Sequence, residues 1–146
     1  MKPEVDESLR HIMGWLLMGV APSVSDDYER ASVSMLAMLS AFMAEEFDRA
    51  AEIRVGENRA MQEIFSAATT VVKESVLRRR LSEASSNTDS LRLSALNAAN
   101  AELKKLLIDL QGHLEQRDDD EAVCINRAIW RALKTFSQRR AFALPI

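Results

Sequence analysis

The sequence SMLAMLSAFMAEEF, from Ser34 to Phe47, decides the fold of this chain. Its large apolar residues recur every three or four positions, which is the spacing of one face of an α-helix. The face extends beyond the stretch, and its members are Tyr28, Met35, Leu36, Leu39, Phe42, Met43, Phe47 and Ala50. We therefore predict a long amphipathic helix. Gly56 is predicted to end it, as the glycine that follows a helix; the alternative is a kinked helix that continues.

Four more helical segments surround this one. The first is predicted from Glu4 to Gly19, and the segment APSVSDD separates it from the second. A third helix is predicted after Gly56, ending near Leu81, with Met61, Ile64, Phe65, Ala68, Val72 and Val76 on its apolar face. The fourth carries Leu93, Leu96, Leu103, Leu107, Leu110 and Leu114, and the fifth carries Ile125, Ile129, Leu133 and Phe136.

The segments between these helices are typical of turns and caps. SEASSNTDS precedes the fourth helix, and RDDDE precedes the fifth, where Asp118 and Glu121 have the spacing of a capping box. Long helices joined by short loops favour an up-down arrangement. We predict an all-α fold, an antiparallel up-down four-helix bundle of long helices with an extra short N-terminal helix, forming a single domain over residues 1–146.

The composition agrees with a helical globular domain. The chain has 146 residues, 47% of them hydrophobic, which is enough to bury a core and argues against intrinsic disorder. Only four glycines and three prolines are present, too few for a protein of many short strands and turns.

The charge argues against nucleic acid as a partner, because the net charge is -3 and basic clusters are few. The two clusters, Arg78–Arg80 and Arg139–Arg140, are interpreted as cations near helix C-termini, where the backbone dipole favours them. A phosphate or nucleic-acid site is the alternative.

The apolar run from Ile12 to Pro22 is too short to span a bilayer and follows an acidic segment, so we predict neither a membrane span nor a signal peptide. Cys124 is the single cysteine, which fits a reducing compartment. We expect a cytoplasmic protein, with Cys124 packed between helices.

Asparagine opens two similar stretches, NRAMQEIF from Asn58 and NRAIWRAL from Asn126, which lie 68 positions apart. A duplicated helix pair would produce this match. Chance would also produce it, because 68 residues are close to a whole number of turns at about 3.6 residues per turn. The sequence leaves both explanations open.

Four asparagines lie at the edges of apolar helix faces: Asn58, Asn97, Asn100 and Asn126. A buried amide is costly unless it is hydrogen-bonded. These residues either line a polar pocket or form a network between helices that fixes their register, as a core asparagine does in coiled coils.

No catalytic residue, cofactor site or metal site is predicted. Di-metal bundles need Glu-x-x-His on two helices, and neither His11 nor His113 has Glu three residues earlier. Each histidine follows an acid by four residues, a spacing that allows an imidazole–carboxylate hydrogen bond on one helix face. The acids Glu45, Glu46, Glu52, Glu57 and Glu63 are interpreted as helix surface. Whether the protein is an enzyme is uncertain, and a non-catalytic role is favoured.

Two apolar segments favour association. Trp15 and Leu16 lie in a helix that is apolar nearly all round, and the tail places Phe142, Leu144 and Ile146 together. We expect a homodimer or an accessory subunit of another protein. The alternative is a binder of a small apolar or acyl-like ligand in the bundle core, lined by the cluster from Met35 to Met43 and by the asparagines.

Overall fold

The computed structural model describes residues 2–85 and 90–143, and this part of the chain contains helices and no strand. The helices are α1 (Val5–Trp15), α2 (Asp27–Ala68), α3 (Ser75–Ala84), α4 (Leu93–Leu114) and α5 (Asp120–Arg140). A π-helical turn, Leu16–Val20, and a 3-10 turn, Ala21–Ser23, follow α1. The all-α prediction is confirmed. None of the described helices is both long enough and apolar enough to cross a membrane.

The predicted helix stop at Gly56 is wrong, because α2 continues to Ala68. Gly56 does not have the positive φ of a helix-ending glycine. A Cβ at this position would lie 2.8 Å from Nη1 of Arg139, so the missing side chain leaves room for that guanidinium.

The chain breaks later than predicted, between α2 and α3, and Val72 lies in this connection instead of in a helix. The run Thr69-Thr70-Val71-Val72 is β-branched, and such side chains lose rotamer freedom in a helix. Glu74 then starts α3, since its carboxylate accepts the backbone N–H groups of Val76 and Leu77, both at 3.1 Å.

The cap of α5 is one residue later than predicted. Asp119, and not Asp118, accepts the backbone N–H of Ala122 at 3.1 Å. Arg117 donates its Nε to the same carboxylate at 2.8 Å. The hydrogen bond from Arg117, followed by that from Ala122, lowers the pKa of Asp119.

The two basic clusters differ in their placement. Arg139 and Arg140 lie in the last turn of α5, where cations are favoured. Arg78–Arg80 lie inside α3, not at its end. Within that cluster, Arg80 pairs with Asp109 of α4 at 2.7 Å.

The chain divides into two compact units, and the boundary lies inside α2. Unit 1 runs to Ala50 and includes the end of the chain from Phe142. Unit 2 is Ala51–Ala141.

Unit 2 has a core of large apolar side chains from the second half of α2, from α3, α4 and α5. Its fully buried members include Met61, Phe65, Leu81, Leu110 and Ile129. The leucines of α4 face this core with the predicted helical spacing, although Leu93 is exposed. Arg117, just before α5, contacts the connection between α2 and α3, where it donates Nη1 to the backbone oxygen of Val71 at 2.8 Å.

Unit 1 is packed differently. Its buried apolar residues, among those described, are all alanines: Ala21, Ala37, Ala41, Ala44 and Ala50. No residue of α1 is buried. The apolar face of Ser34–Phe47, from which the fold was predicted, is largely exposed, and small residues on another face of α2 are buried instead.

Candidate functional site

A buried carboxylate, Glu57, lies in unit 2 with no exposed surface. Arg140 donates Nε to Oε1 and Nη2 to Oε2, both at 2.6 Å, which is the paired geometry that guanidinium and carboxylate favour. Asn100 donates its Nδ2 to Oε2 at 3.0 Å, and Nζ of Lys104 lies 3.7 Å from the same oxygen. We call Glu57, Asn58, Asn100, Lys104 and Arg140 the Glu57 network.

The network also connects two asparagines. Asn100 donates to Oδ1 of Asn58 at 2.8 Å, and Asn58 donates its own Nδ2 to the backbone oxygen of Leu96 at 3.3 Å. Both asparagines are buried. Three helices, α2, α4 and α5, are therefore joined through one set of polar contacts.

The charges in the network set its protonation. Burial alone would raise the pKa of Glu57, but the hydrogen bonds and charge of Arg140, the amide of Asn100 and the charge of Lys104 outweigh it and hold the pKa below its ordinary value. Burial and the Arg140 charge lower the pKa of Lys104, although Glu57 opposes them. Glu57 is thus an ionised carboxylate with both oxygens engaged, an arrangement that suits a structural contact better than a catalytic base.

The other two predicted asparagines lie outside this network. Asn97 is exposed and accepts the Nε of Arg54 at 2.7 Å. Asn126 is partly buried, and its Oδ1 has no hydrogen-bond partner among the residues that the structure describes. It lies 14 residues before Arg140 on α5, roughly 21 Å along the helix axis. The structure therefore brings Asn58 and Asn100 together and leaves Asn97 and Asn126 apart.

Neither histidine forms a hydrogen bond to a carboxylate in the described structure. Nδ1 of His11 is 2.8 Å from the backbone oxygen of Glu7, not from its side chain. Asp109, four residues before His113, instead accepts a hydrogen bond from Arg80 at 2.7 Å. Within residues 2–85 and 90–143, no three His, Cys, Asp or Glu side chains are grouped so as to hold a metal ion. Cys124, expected to pack between helices, is exposed.

The second notable feature is a set of large exposed apolar residues of unit 1, which we call the apolar surface. It consists of Val5, Ile12, Trp15, Met18, Tyr28, Met35, Leu36, Leu39, Met43 and Phe47, all exposed. Trp15, the largest of them, is 66% exposed. Unit 1 therefore exposes these large apolar residues, whereas its fully buried apolar residues, among those described, are alanines.

Apolar residues at helical spacing occur in both parts of α2, but their exposure differs. Along the helix, Met35, Leu39, Met43 and Phe47 are spaced four residues apart and are exposed. At spacings of three or four the same face proceeds through residues that are all buried: Ala50, Ile53, Glu57, Met61, Ile64 and Ala68. Met35, Leu39, Met43 and Phe47 are thus exposed, whereas the residues of this series from Ile53 to Ala68 are buried.

The predicted interface residues lie in unit 1 or outside the described part of the chain. Trp15 is exposed and Leu16 is partly buried. Phe142 packs against Phe42, with ring centroids 4.9 Å apart, and the guanidinium of Arg49 lies 6.0 Å from its ring. The next residue, Ala143, donates its backbone N–H to Glu45 at 3.0 Å. Leu144 and Ile146 lie outside the described residues.

The methionines predicted to line a ligand cavity do not form an enclosed one. Met35 and Met43 are more than half exposed. A cleft of about 570 Å³ lies elsewhere, in unit 2 beside Asn58, with Arg59, Gln62, Glu63 and Ser66 on its wall. This lining is largely polar and suits an apolar ligand poorly.

Sequence reasoning assigned Glu57 to the helix surface and so missed the centre of the network. A signal was present: Glu57 falls on the same helical face as Met61 and Ile64. A charged residue inside an apolar face needs a buried partner. Which basic residue would supply it could not be read from spacing, because Arg140 lies 83 positions away.

Comparison with protein families, curated proteins and solved structures gives no significant match for this chain.

Proposed function

We propose that this chain is a non-catalytic helical protein that works by association, as a homodimer or as an accessory or scaffolding subunit. The observation that carries the proposal is the exposure in unit 1 of Trp15, Tyr28, Phe47 and several Leu and Met side chains, while the fully buried apolar residues described there are alanines. A surface of this kind is stabilised when a partner removes it from water, at roughly 25 cal/mol per Å².

The Glu57 network fits a structural role within unit 2. It fills a position on the apolar face of α2 with a charge that only particular residues of α4 and α5 can satisfy. Buried polar contacts of this type fix how helices align. We propose that the network sets the register of unit 2, and that the helices of the chain form an antiparallel up-down four-helix bundle with an extra N-terminal helix.

The location and partners follow from this role. We propose a cytoplasmic protein whose partner is a protein, not nucleic acid and not a membrane. The net charge of -3 disfavours a polyanion, and the single cysteine fits a reducing compartment. Trp15, Leu16 and Phe142, together with Leu144 and Ile146, are proposed as interface residues.

Native mass spectrometry of the protein purified from cells that make it tests the proposal. Association predicts a multiple of 16.4 kDa or a complex with a second polypeptide. A chain of 16.4 kDa alone, with no partner, contradicts the proposal. A single chain with the added mass of a small organic molecule would instead favour the ligand-binding alternative.

A further inference from the structure

We infer that the outer face of α5 binds a short acidic segment of a partner polypeptide. Trp130 is the apolar anchor of this face, and Arg127, Arg131 and Lys134 are its cations; we call the four residues the Trp130 face. All of them lie in unit 2, and none belongs to the apolar surface. The inference goes beyond the proposed function, which rests on residues of unit 1, because it names the chemistry of a partner and another place where it binds.

The four residues share one side of α5. They follow one another at spacings of three and four positions, which brings side chains together on a helix surface. All four are exposed, and Trp130 is 58% exposed. Ile129 and Phe136 of the same helix are buried in the core of unit 2 instead. The Trp130 face is therefore the side of α5 that the core does not use.

The charge of this part of the chain has one sign. Residues 122–146 include five basic residues and no Asp or Glu, although the whole chain has a net charge of -3. Among the described residues, Arg127, Arg131 and Lys134 form no ion pair with a carboxylate. Like charges four residues apart, as in Arg127 and Arg131, repel each other on a helix. Carboxylates of a partner would remove this repulsion.

Trp130 supplies the apolar part of the site. A cleft of about 680 Å³ beside it is lined by Asp120, Val123, Cys124, Arg127, Trp130 and Arg131. Trp and Arg are the residue types that most often dominate the binding energy of protein interfaces. An acidic segment that carries one large apolar side chain would cover the indole and pair its carboxylates with the guanidinium groups on either side.

The extent of the Trp130 face favours a peptide over a nucleic acid or a membrane. Arg127 and Lys134 are seven residues apart, roughly 10 Å along the helix axis. Residues 1–121 carry a net charge of -8, since the whole chain has -3 and residues 122–146 contribute +5. That excess of negative charge repels an extended polyanion or an anionic bilayer. A peptide needs only a few carboxylates within the length of the face.

Fluorescence anisotropy of a labelled peptide tests the inference on the full chain. The probe is a synthetic peptide in which glutamates spaced three and four residues apart flank a leucine, and the control probe carries glutamine in place of every glutamate. The glutamine peptide is expected to bind the wild type at least about tenfold more weakly than the acidic peptide. Binding of the acidic peptide should also weaken in about 1 M salt, where charges are screened within about 3 Å.

Three variants locate the site. Arg131→Glu reverses one charge of the Trp130 face and is expected to weaken binding of the acidic peptide by at least about tenfold. Trp130→Ala removes the anchor and is expected to have a similar effect. Arg78→Glu is the matched control, because Arg78 is an exposed arginine of α3 in unit 2 and its reversal changes the net charge by the same amount. It is expected to leave binding unchanged. Circular dichroism checks that each variant is as helical as the wild type.

The inference is wrong if the acidic peptide does not bind the wild type at low salt, or if Arg131→Glu and Arg78→Glu weaken binding equally. Equal binding of the glutamine peptide would also contradict it, since the face would then not select acidic residues. A single-stranded oligonucleotide or a vesicle of anionic lipid that binds through Trp130 and Arg131 more tightly than the peptide would exclude the polypeptide partner. These results concern unit 2 alone, so native mass spectrometry tests the proposed function separately.

Discussion

Arg140 of α5 holds both carboxylate oxygens of Glu57 of α2 at 2.6 Å, across 83 positions of sequence. The carboxylate is fully buried, whereas the arginine side chain is 39% exposed. The pair therefore joins a buried charge to the edge of the unit. The presence of a buried ion pair is by itself weak evidence that the pair stabilises the fold. The role of the Glu57–Arg140 pair is therefore best measured by substituting one partner.

Arg140→Ala is expected to destabilise the protein by about 3 kcal/mol, because it leaves the Glu57 carboxylate buried with only Asn100 and Lys104 near it. Urea unfolding followed by circular dichroism measures the change. Arg59→Ala is the control: Arg59 pairs with Glu63 at 3.0 Å, but both side chains are exposed, so a loss of less than about 1 kcal/mol is expected. Equal losses would show that the Glu57 contact is no stronger than a surface pair.

The network also predicts a pH dependence. The pKa of Glu57 is lower in the folded chain than its ordinary value of 4.5, so the ionised carboxylate stabilises the fold above pH 4.5. This contribution falls as the pH drops below 4.5 and is lost below the folded pKa. The wild type is expected to be more stable than Glu57→Gln at neutral pH, and the difference should shrink in acid. A difference in unfolding free energy that does not change with pH would mean that Glu57 is not ionised in the fold.

Gly56→Ala distinguishes a glycine inside a helix from one that ends it. Inside α2, alanine is favoured over glycine by up to about 1 kcal/mol, and its Cβ meets only the flexible end of Arg139. We expect a gain of about 0.5 kcal/mol or more in thermal or urea unfolding. A helix-ending glycine would give the opposite sign, since alanine there is strained. The double variant Gly56→Ala with Arg139→Ala removes the close contact and should retain the gain.

Truncating a phenylalanine of α2 should change the unfolding free energy by different amounts in the two units: Phe65 lies in unit 2 and Phe47 in unit 1. Phe65 has no exposed surface, and Phe65→Ala is expected to cost about 3–5 kcal/mol. Phe47 is 58% exposed, and Phe47→Ala is expected to cost less than about 1 kcal/mol in dilute solution, where the chain is a monomer. Unfolding experiments at low protein concentration measure both. A large cost for Phe47→Ala in the monomer would show that this residue is part of a core within one chain.

The sequence allowed the helices to be predicted more accurately than their ends. Leucine spacing identified α4, because its core side is regular and apolar. The end of α2 was misplaced, since Gly56 resembles a helix stop but serves as space for Arg139. The helix ends instead at a short β-branched run, and Glu74 caps the next helix. Both features are local, and neither gives a strong signal in the sequence.

The candidate sites, too, could be predicted from the sequence only in part. The apolar period of Met35, Leu39 and Met43 is visible in the sequence, but periodicity alone does not say whether a face is covered. Likewise, Asn58 and Asn100 could be placed near apolar faces, whereas their hydrogen bond depends on how α2 and α4 align. Such pairings between distant segments are determined by packing and not by local pattern.

The sequence separation within the Glu57 network affects the order of synthesis and folding. A ribosome makes Glu57 83 residues before Arg140, a delay of roughly 4 to 17 s at typical bacterial to eukaryotic elongation rates. During that interval the nascent chain can form α2 and α4, but the carboxylate lacks its guanidinium. Complete folding of unit 2 therefore follows translation of α5, and a chain interrupted before Arg140 retains the contacts of Glu57 with Asn100 and Lys104 but lacks the paired guanidinium.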